Sequence, residues 1–115
     1  MEFSEDLGQF ALENDGLVFV WDEEPDDDIS GVVDMLTENY RSHLDNIVEF
    51  MLPDLRQMYG EVDADTVKAN LGKPIIDYDN GKVTYVEQSF DAVHIFEFEF
   101  LDDAFEELQY FSIDG

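Results

Sequence analysis

Six of the seven residues from Asp22 to Asp28 are acidic (Asp22, Glu23, Glu24, Asp26, Asp27 and Asp28, with Pro25 between), and they follow directly on Trp21. Such a run could coordinate a cation, work as an acid or base, or contact a cationic partner. Calcium fails on spacing. Asp26, Asp28, Ser30, Gly31 and Asp34 occupy the first, third, fifth, sixth and ninth positions of an EF-hand loop, but Thr37 stands where the bidentate Glu is needed, and a strand-like run and Pro25 precede it instead of a helix. Asp77-Tyr78-Asp79-Asn80-Gly81 places its glycine one position early and fails as well.

Catalysis finds no constellation. The chain has no Cys and only two His, His43 on an amphipathic segment and His94 beside an apolar run, both reading as packed or boundary residues. Phosphate-cradling glycine loops, nucleophile elbows and zinc spacings are missing from the sequence, and carboxylates are so numerous that any pair is uninformative. The expectation is a non-enzyme with no catalytic residue, metal, cofactor or small-molecule substrate.

Contact with a cationic partner remains, and three groups of residues are candidates. The first is Trp21 with Asp22, Glu23, Glu24, Asp26, Asp27 and Asp28, since Trp is a frequent anchor where binding energy concentrates. Acids ahead of a helix also stabilise its N-terminus, so a solvated capping loop is the plainer alternative. The second is a stripe of Asp34, Glu38, Asp45 and Glu49, which on one continuous helix would be spaced by about 6, 10 and 6 Å; the ordinary polar face of an amphipathic helix explains it equally, and Arg41 falls within it. The third is Glu97 and Glu99, either a sheet-borne acidic surface or simply the wet side of a half-buried strand.

These groups need elements to hold them. Residues 8–23 read as a hairpin around Asn14-Asp15-Gly16. From Ile29 the apolar residues Val32, Val33, Leu36, Tyr40, Leu44, Ile47, Val48 and Met51 recur at three- and four-residue steps, predicting one long amphipathic helix capped by Asp28 and ended or kinked by Pro53, with a short turn restarting over 54–59. Asp63, Gly72 and Pro74 punctuate a second helix over 64–71. Strands are predicted over 75–79 and 82–89 around Asn80-Gly81, over 93–101 with His94, Phe96, Phe98 and Phe100 on one face, and over 106–113. No repeat or linker appears. The expectation is a single α+β domain over residues 1–115: an antiparallel sheet with the long helix and one or two short helices packed on one face.

Thirty Asp and Glu against five Lys and Arg give a net charge of −25 over 115 residues. Charge of that size prevents folding where apolar content is low, but 44% hydrophobic and 14% aromatic residues supply a core. At one charge per roughly 1.7 Å of duplex axis, about 25 charges correspond to ~43 Å of B-DNA. Such a surface repels nucleic acid and anionic membrane and attracts basic proteins. Without cysteine nothing points to an oxidising compartment, the acidic start is unlike an export signal, and no run approaches the ~20 apolar residues of a membrane span. A cytoplasmic location is expected.

In length, charge, lack of Cys and mixed pattern over Gly8 to Asp28 and Ile75 to Gly115, the chain resembles the small acidic bacterial DNA-mimic proteins, including a neisserial one that binds the histone-like protein HU. The resemblance implies a DNA mimic that presents carboxylates in place of phosphates and competes with DNA for a basic, HU-like nucleoid protein. The segments Val93-His94-Ile95-Phe96-Glu97-Phe98-Glu99-Phe100 and Phe111-Ser112-Ile113-Asp114-Gly115 are also similar to parts of small immunity-type proteins, which implies neutralisation of a cationic toxin such as a nuclease. A third reading is an ordinary protein whose acidic surface is adapted to high salt.

Overall fold

Alternation sets the core. In the computed structural model, which describes residues 2–5, 8–25 and 29–114, Phe96, Phe98 and Phe100 are buried while Ile95, Glu97 and Glu99 between them face the other way. The same face continues through Leu17, Phe19 and Trp21, then Ile76, then Val83 and Tyr85, and all of these join one cluster with residues of three helices. The elements are β1 (Glu2–Ser4), β2 (Gln9–Asn14), β3 (Leu17–Trp21), α1 (Ile29–Ser42), α2 (Leu44–Tyr59), α3 (Ala64–Asn70), β4 (Ile75–Asp77), β5 (Lys82–Tyr85), β6 (Ile95–Phe100) and β7 (Leu108–Asp114). The helices therefore share one sheet face, and the other carries Gln9, Asp77, Lys82, Thr84, Glu97, Glu99 and Gln109.

The seven strands stand in chain order. All neighbours are antiparallel except β3 and β4, where Val18, Phe19 and Val20 pair in parallel with Ile75, Ile76 and Asp77. This corrects the wholly antiparallel expectation: the three helices form a crossover, and a chain that leaves one end of a strand and returns over the sheet re-enters in the same direction. β1 is also unforeseen. It is three residues long, pairs Phe3 with Phe10, and sets their rings edge to face at 5.2 Å.

The predicted long helix is two. His43 leaves helical geometry at φ −109 and ψ 14, dividing α1 from α2. The rod is interrupted more than ended, because His43 N still donates to Asn39 O and Ile47 N to His43 O, both at 3.0 Å. Tertiary contacts hold the break: Asn39 Nδ2 donates to Asp103 O at 3.1 Å and Asn46 Nδ2 to Phe105 O at 3.2 Å, so the β6–β7 loop lies against the junction. Periodicity was blind to it because both helices must face the same core. Pro53 neither ends nor restarts a helix; α2 runs through it to Tyr59, and the Glu49 carbonyl that loses a donor belongs, like Pro53, to an exposed residue that water can serve.

Side chains set the other boundaries. Asp63 caps α3 by accepting from Thr66 N at 2.8 Å, and Gly72 follows at φ +74, where a Cβ would meet Glu87 Cβ at 2.8 Å. The expected Asn80-Gly81 hairpin forms, but with a turn over 78–81 in which Asn80 donates to Asp77 at 2.8 Å through its side chain. β5 stops at Tyr85 because buried Gln88 draws the following chain into a loop, donating to His94 O at 2.7 Å and accepting from Phe90 N at 2.8 Å. The predicted strand ends at 86–89 and 93–94 thus belong to that loop. The predicted helix cap at Asp28 lies outside the described residues.

Deep in the core the hydroxyls of Tyr40 and Tyr85 meet at 2.7 Å, uniting α1 and β5. Replacing Tyr40 alone with Phe leaves the Tyr85 hydroxyl buried and unpaired, a cost of about 1–3 kcal/mol. The double replacement by Phe strands no polar atom and is expected to be less destabilising than the sum of the two singles, as denaturant titrations of the four proteins in the cycle would measure.

Candidate acidic interface

Four of the five Lys and Arg take up a carboxylate each. Lys73 pairs with Glu13, Lys68 with Asp45, Arg41 with Asp15 at 3.5 Å and Lys82 with Glu97 at 3.7 Å. The fifth, Arg56, donates through Nε to Val62 O at 3.1 Å. Arg41 thereby leaves the α1 stripe and reaches the β2–β3 turn, where it also donates to Asp15 O.

Among the expected contact residues, the structure separates two kinds. Asp22 is tied, accepting from Gln9 Nε2 at 2.9 Å and from Asn80 Nδ2 at 3.3 Å, amides it shares with Asp77. Asp45 is held by Lys68. Glu97 accepts from Thr84 Oγ1 at 3.4 Å besides its ion pair, and Glu99 accepts from Gln109 Nε2 at 3.0 Å. By contrast Glu23, Glu24, Asp34, Glu38 and Glu49 are exposed, with no side-chain partner among the described residues. Asp34 and Glu38 remain about 6 Å apart along α1, but the interval from Glu38 to Asp45 crosses the break at His43, so the four stripe residues do not lie on one straight rod.

Trp21 is not a surface anchor. It is 3% exposed and stacked on Phe19 at 6.5 Å, with Nε1 unpartnered among the described residues. Its placement follows from β3, whose alternate residues Leu17, Phe19 and Trp21 all turn to the core. Asp26, Asp27 and Asp28 lie outside the described residues.

A second acidic loop joins the surface. Asp102, Asp103, Glu106 and Glu107 occupy the β6–β7 connection, where Asp102 Oδ1 accepts from Glu106 N and Glu107 N at 3.0 Å each. Glu106 reaches His43 Nε2 at 3.4 Å, so these acids lie beside the α1–α2 junction that interrupts the stripe. Four acids in six residues was a visible signal, weaker than the six in seven of residues 22–28, but sequence alone does not say which helix a loop touches.

Also unforeseen is the joint between α2 and the loop after β5. Tyr59 Oη donates to Asp91 Oδ2 at 2.5 Å, His94 Nδ1 lies 2.6 Å from the same oxygen, and Phe90 stacks on Tyr59 at 5.0 Å. The Tyr59 hydroxyl foremost, helped by the backbone and ring of His94, holds the Asp91 carboxyl well below the usual carboxylate range. Each of these partners lies within the chain, which gives the cluster the form of a structural knot. Among the described residues no group of three or more His, Asp and Glu is arranged to hold a metal, and no helix is long and apolar enough to cross a membrane.

No family model matches this chain, and no curated protein or solved structure matches it. Any function must therefore be argued from the surface itself.

The tyrosines make the fold sensitive to alkali. Burial is the main cause that pushes Tyr40 and Tyr59 up from 10.0 to about 12, and it carries Tyr85 well above its ordinary value. Unfolded tyrosines ionise near pH ~10. Between that value and about 12 the unfolded state gives up protons that the folded state keeps. Stability from these groups is full below pH ~10 and falls as pH rises toward the folded values, which denaturant midpoints across this window would reveal.

Proposed function

We propose that the protein is a non-enzymatic DNA mimic that binds a basic DNA-binding protein of the HU-like nucleoid class and competes with DNA for it. The observation that carries the reading is the match of charge to length. The folded chain measures 44 × 28 × 22 Å and carries −25, and ~43 Å of B-DNA carries about the same charge. With every Lys and Arg engaged internally, Asp34 and Glu38 of α1, Glu49 of α2 and Glu23 and Glu24 of the loop face solvent uncompensated. Held on folded elements, they avoid much of the ordering cost that a flexible acidic tail meets on binding.

The partner's Lys and Arg would read Asp34, Glu38 and Glu49 on the helices together with Glu23 and Glu24. Asp22, Asp45, Glu97 and Glu99 contribute less, since each is already bonded. An HU-type protein added at ~50 mM salt, where electrostatic association is strongest, is expected to bind, and duplex DNA to displace it. Asp34→Asn, Glu38→Gln and Glu49→Gln together should weaken binding about tenfold and flatten its salt dependence, at roughly 0.5 kcal/mol per exposed pair. Titration calorimetry at several salt concentrations measures both. No binding at low salt, or binding that DNA fails to displace, refutes the reading.

A further inference from the structure

The sheet has two ends, and they differ. β1 offers three residues, whereas β7 offers seven, Leu108–Asp114, bonded on one side to β6 and last in the strand order. A bulge divides β7: Glu97 pairs with Ser112 but Glu99 with Gln109, and the extra residue Tyr110 adopts φ +54 and is 73% exposed. Beyond it Phe111 to Asp114 form a regular edge, whose outward backbone groups can accept another strand.

Beside that edge lies a hollow of about 360 Å³, lined by Asp54, Gln57 and Met58 of α2 and by Phe111 and Ile113 of β7. Met58 is 48% exposed within it. A strand added to β7 would place alternate side chains down against Met58, Phe111 and Ile113. Natural edges are commonly guarded by Lys, Pro or a bulge; the bulge at Tyr110 guards only the first part of β7, and residues 111–114 contain neither Lys nor Pro. A second copy of this chain is disfavoured there, since two molecules of −25 repel. A cationic strand meets the opposite field, with Asp54 exposed in the wall of the hollow to receive its charge.

We propose that Phe111–Asp114 and the adjoining α2 hollow take up an extended, alternating apolar and cationic segment of a protein partner by strand addition. The inference takes the basic character of the partner from the function proposed above and adds where and how it is held.

The test uses the full chain and a short peptide of alternating Lys and Val, beside the same peptide N-methylated on alternate amides, which keeps charge and apolar surface but removes ladder donors. The unmodified peptide should slow amide exchange at residues 111–114 and bind at least tenfold more tightly than the methylated one. Met58→Lys, a change at an exposed position, should weaken it by about tenfold through like charge in the hollow. Equal binding of the two peptides, or no protection at 111–114, overturns the proposal. Sedimentation as a dimer with those amides already protected overturns it too, by seating a second copy on the edge. If an HU-type protein binds and DNA displaces it while 111–114 stay unprotected, strand addition is wrong and the DNA-mimic reading stands; if the peptide protects the edge but no HU-type protein binds, the edge assignment stands and the mimic reading falls.

Discussion

Self-repulsion is the constraint under which everything else in this molecule is arranged. Thirty carboxylates on a chain with a radius of gyration of 14.0 Å oppose collapse, and five cations cannot balance them. What opposes that repulsion is apolar burial, concentrated in aromatic residues: Phe96 touches Tyr59, Phe90 and Phe111, while Phe98 touches Phe50 and Tyr85. These rings lie where α2 crosses the C-terminal strands. Each buried aromatic contributes on the order of 1.5–3 kcal/mol, more than an exposed ion pair at about 0.2–1 kcal/mol.

The cations are therefore better understood by where they sit than by the energy they supply. Lys73 joins the entry of β4 to β2, Lys68 joins α3 to α2, Arg41 joins α1 to the β2–β3 turn, and Lys82 bridges β5 and β6. Each neutralises an acid at a joint between segments, where like charge would otherwise concentrate. The consequence is a division of labour among the acids. Those at joints and turns, including Asp63, Asp77, Asp91 and Asp102, accept hydrogen bonds and shape the chain. Asp34 and Glu38 of α1 and Glu49 of α2 have no partner among the described residues, and the field of the whole molecule emerges there.

The fold also limits what the acids can present. A break at His43 turns what would have been a straight row of charge into two shorter ones, with the β6–β7 loop against the junction. The free acids are drawn from several segments, α1, α2 and the loop after β3. A partner evolved for a duplex would meet its carboxylates at positions set by packing, whereas duplex phosphates follow a regular repeat.

Local pattern determined a great deal here. The Asn14-Asp15-Gly16 hairpin, the Asp63 cap of α3, the Phe face of β6 and the mixture of strands and helices all follow from period, turn chemistry and capping, which act over a few residues and so can be read from them. Net charge is a property of composition, and the alternation along 93–101 was enough to turn Glu97 and Glu99 away from the core. Tertiary structure decided the rest, for reasons of range. The β3–β4 pairing is parallel because of where three helices deliver the chain. The helix divides at His43 under contacts from residues about sixty positions away. Trp21 is core and not anchor because β3 turns it inward. Which acids stay free depends on which of them four of the cations and a few side-chain amides reach, and an ion pair such as Lys73 with Glu13, sixty residues apart, has no signature in either neighbourhood.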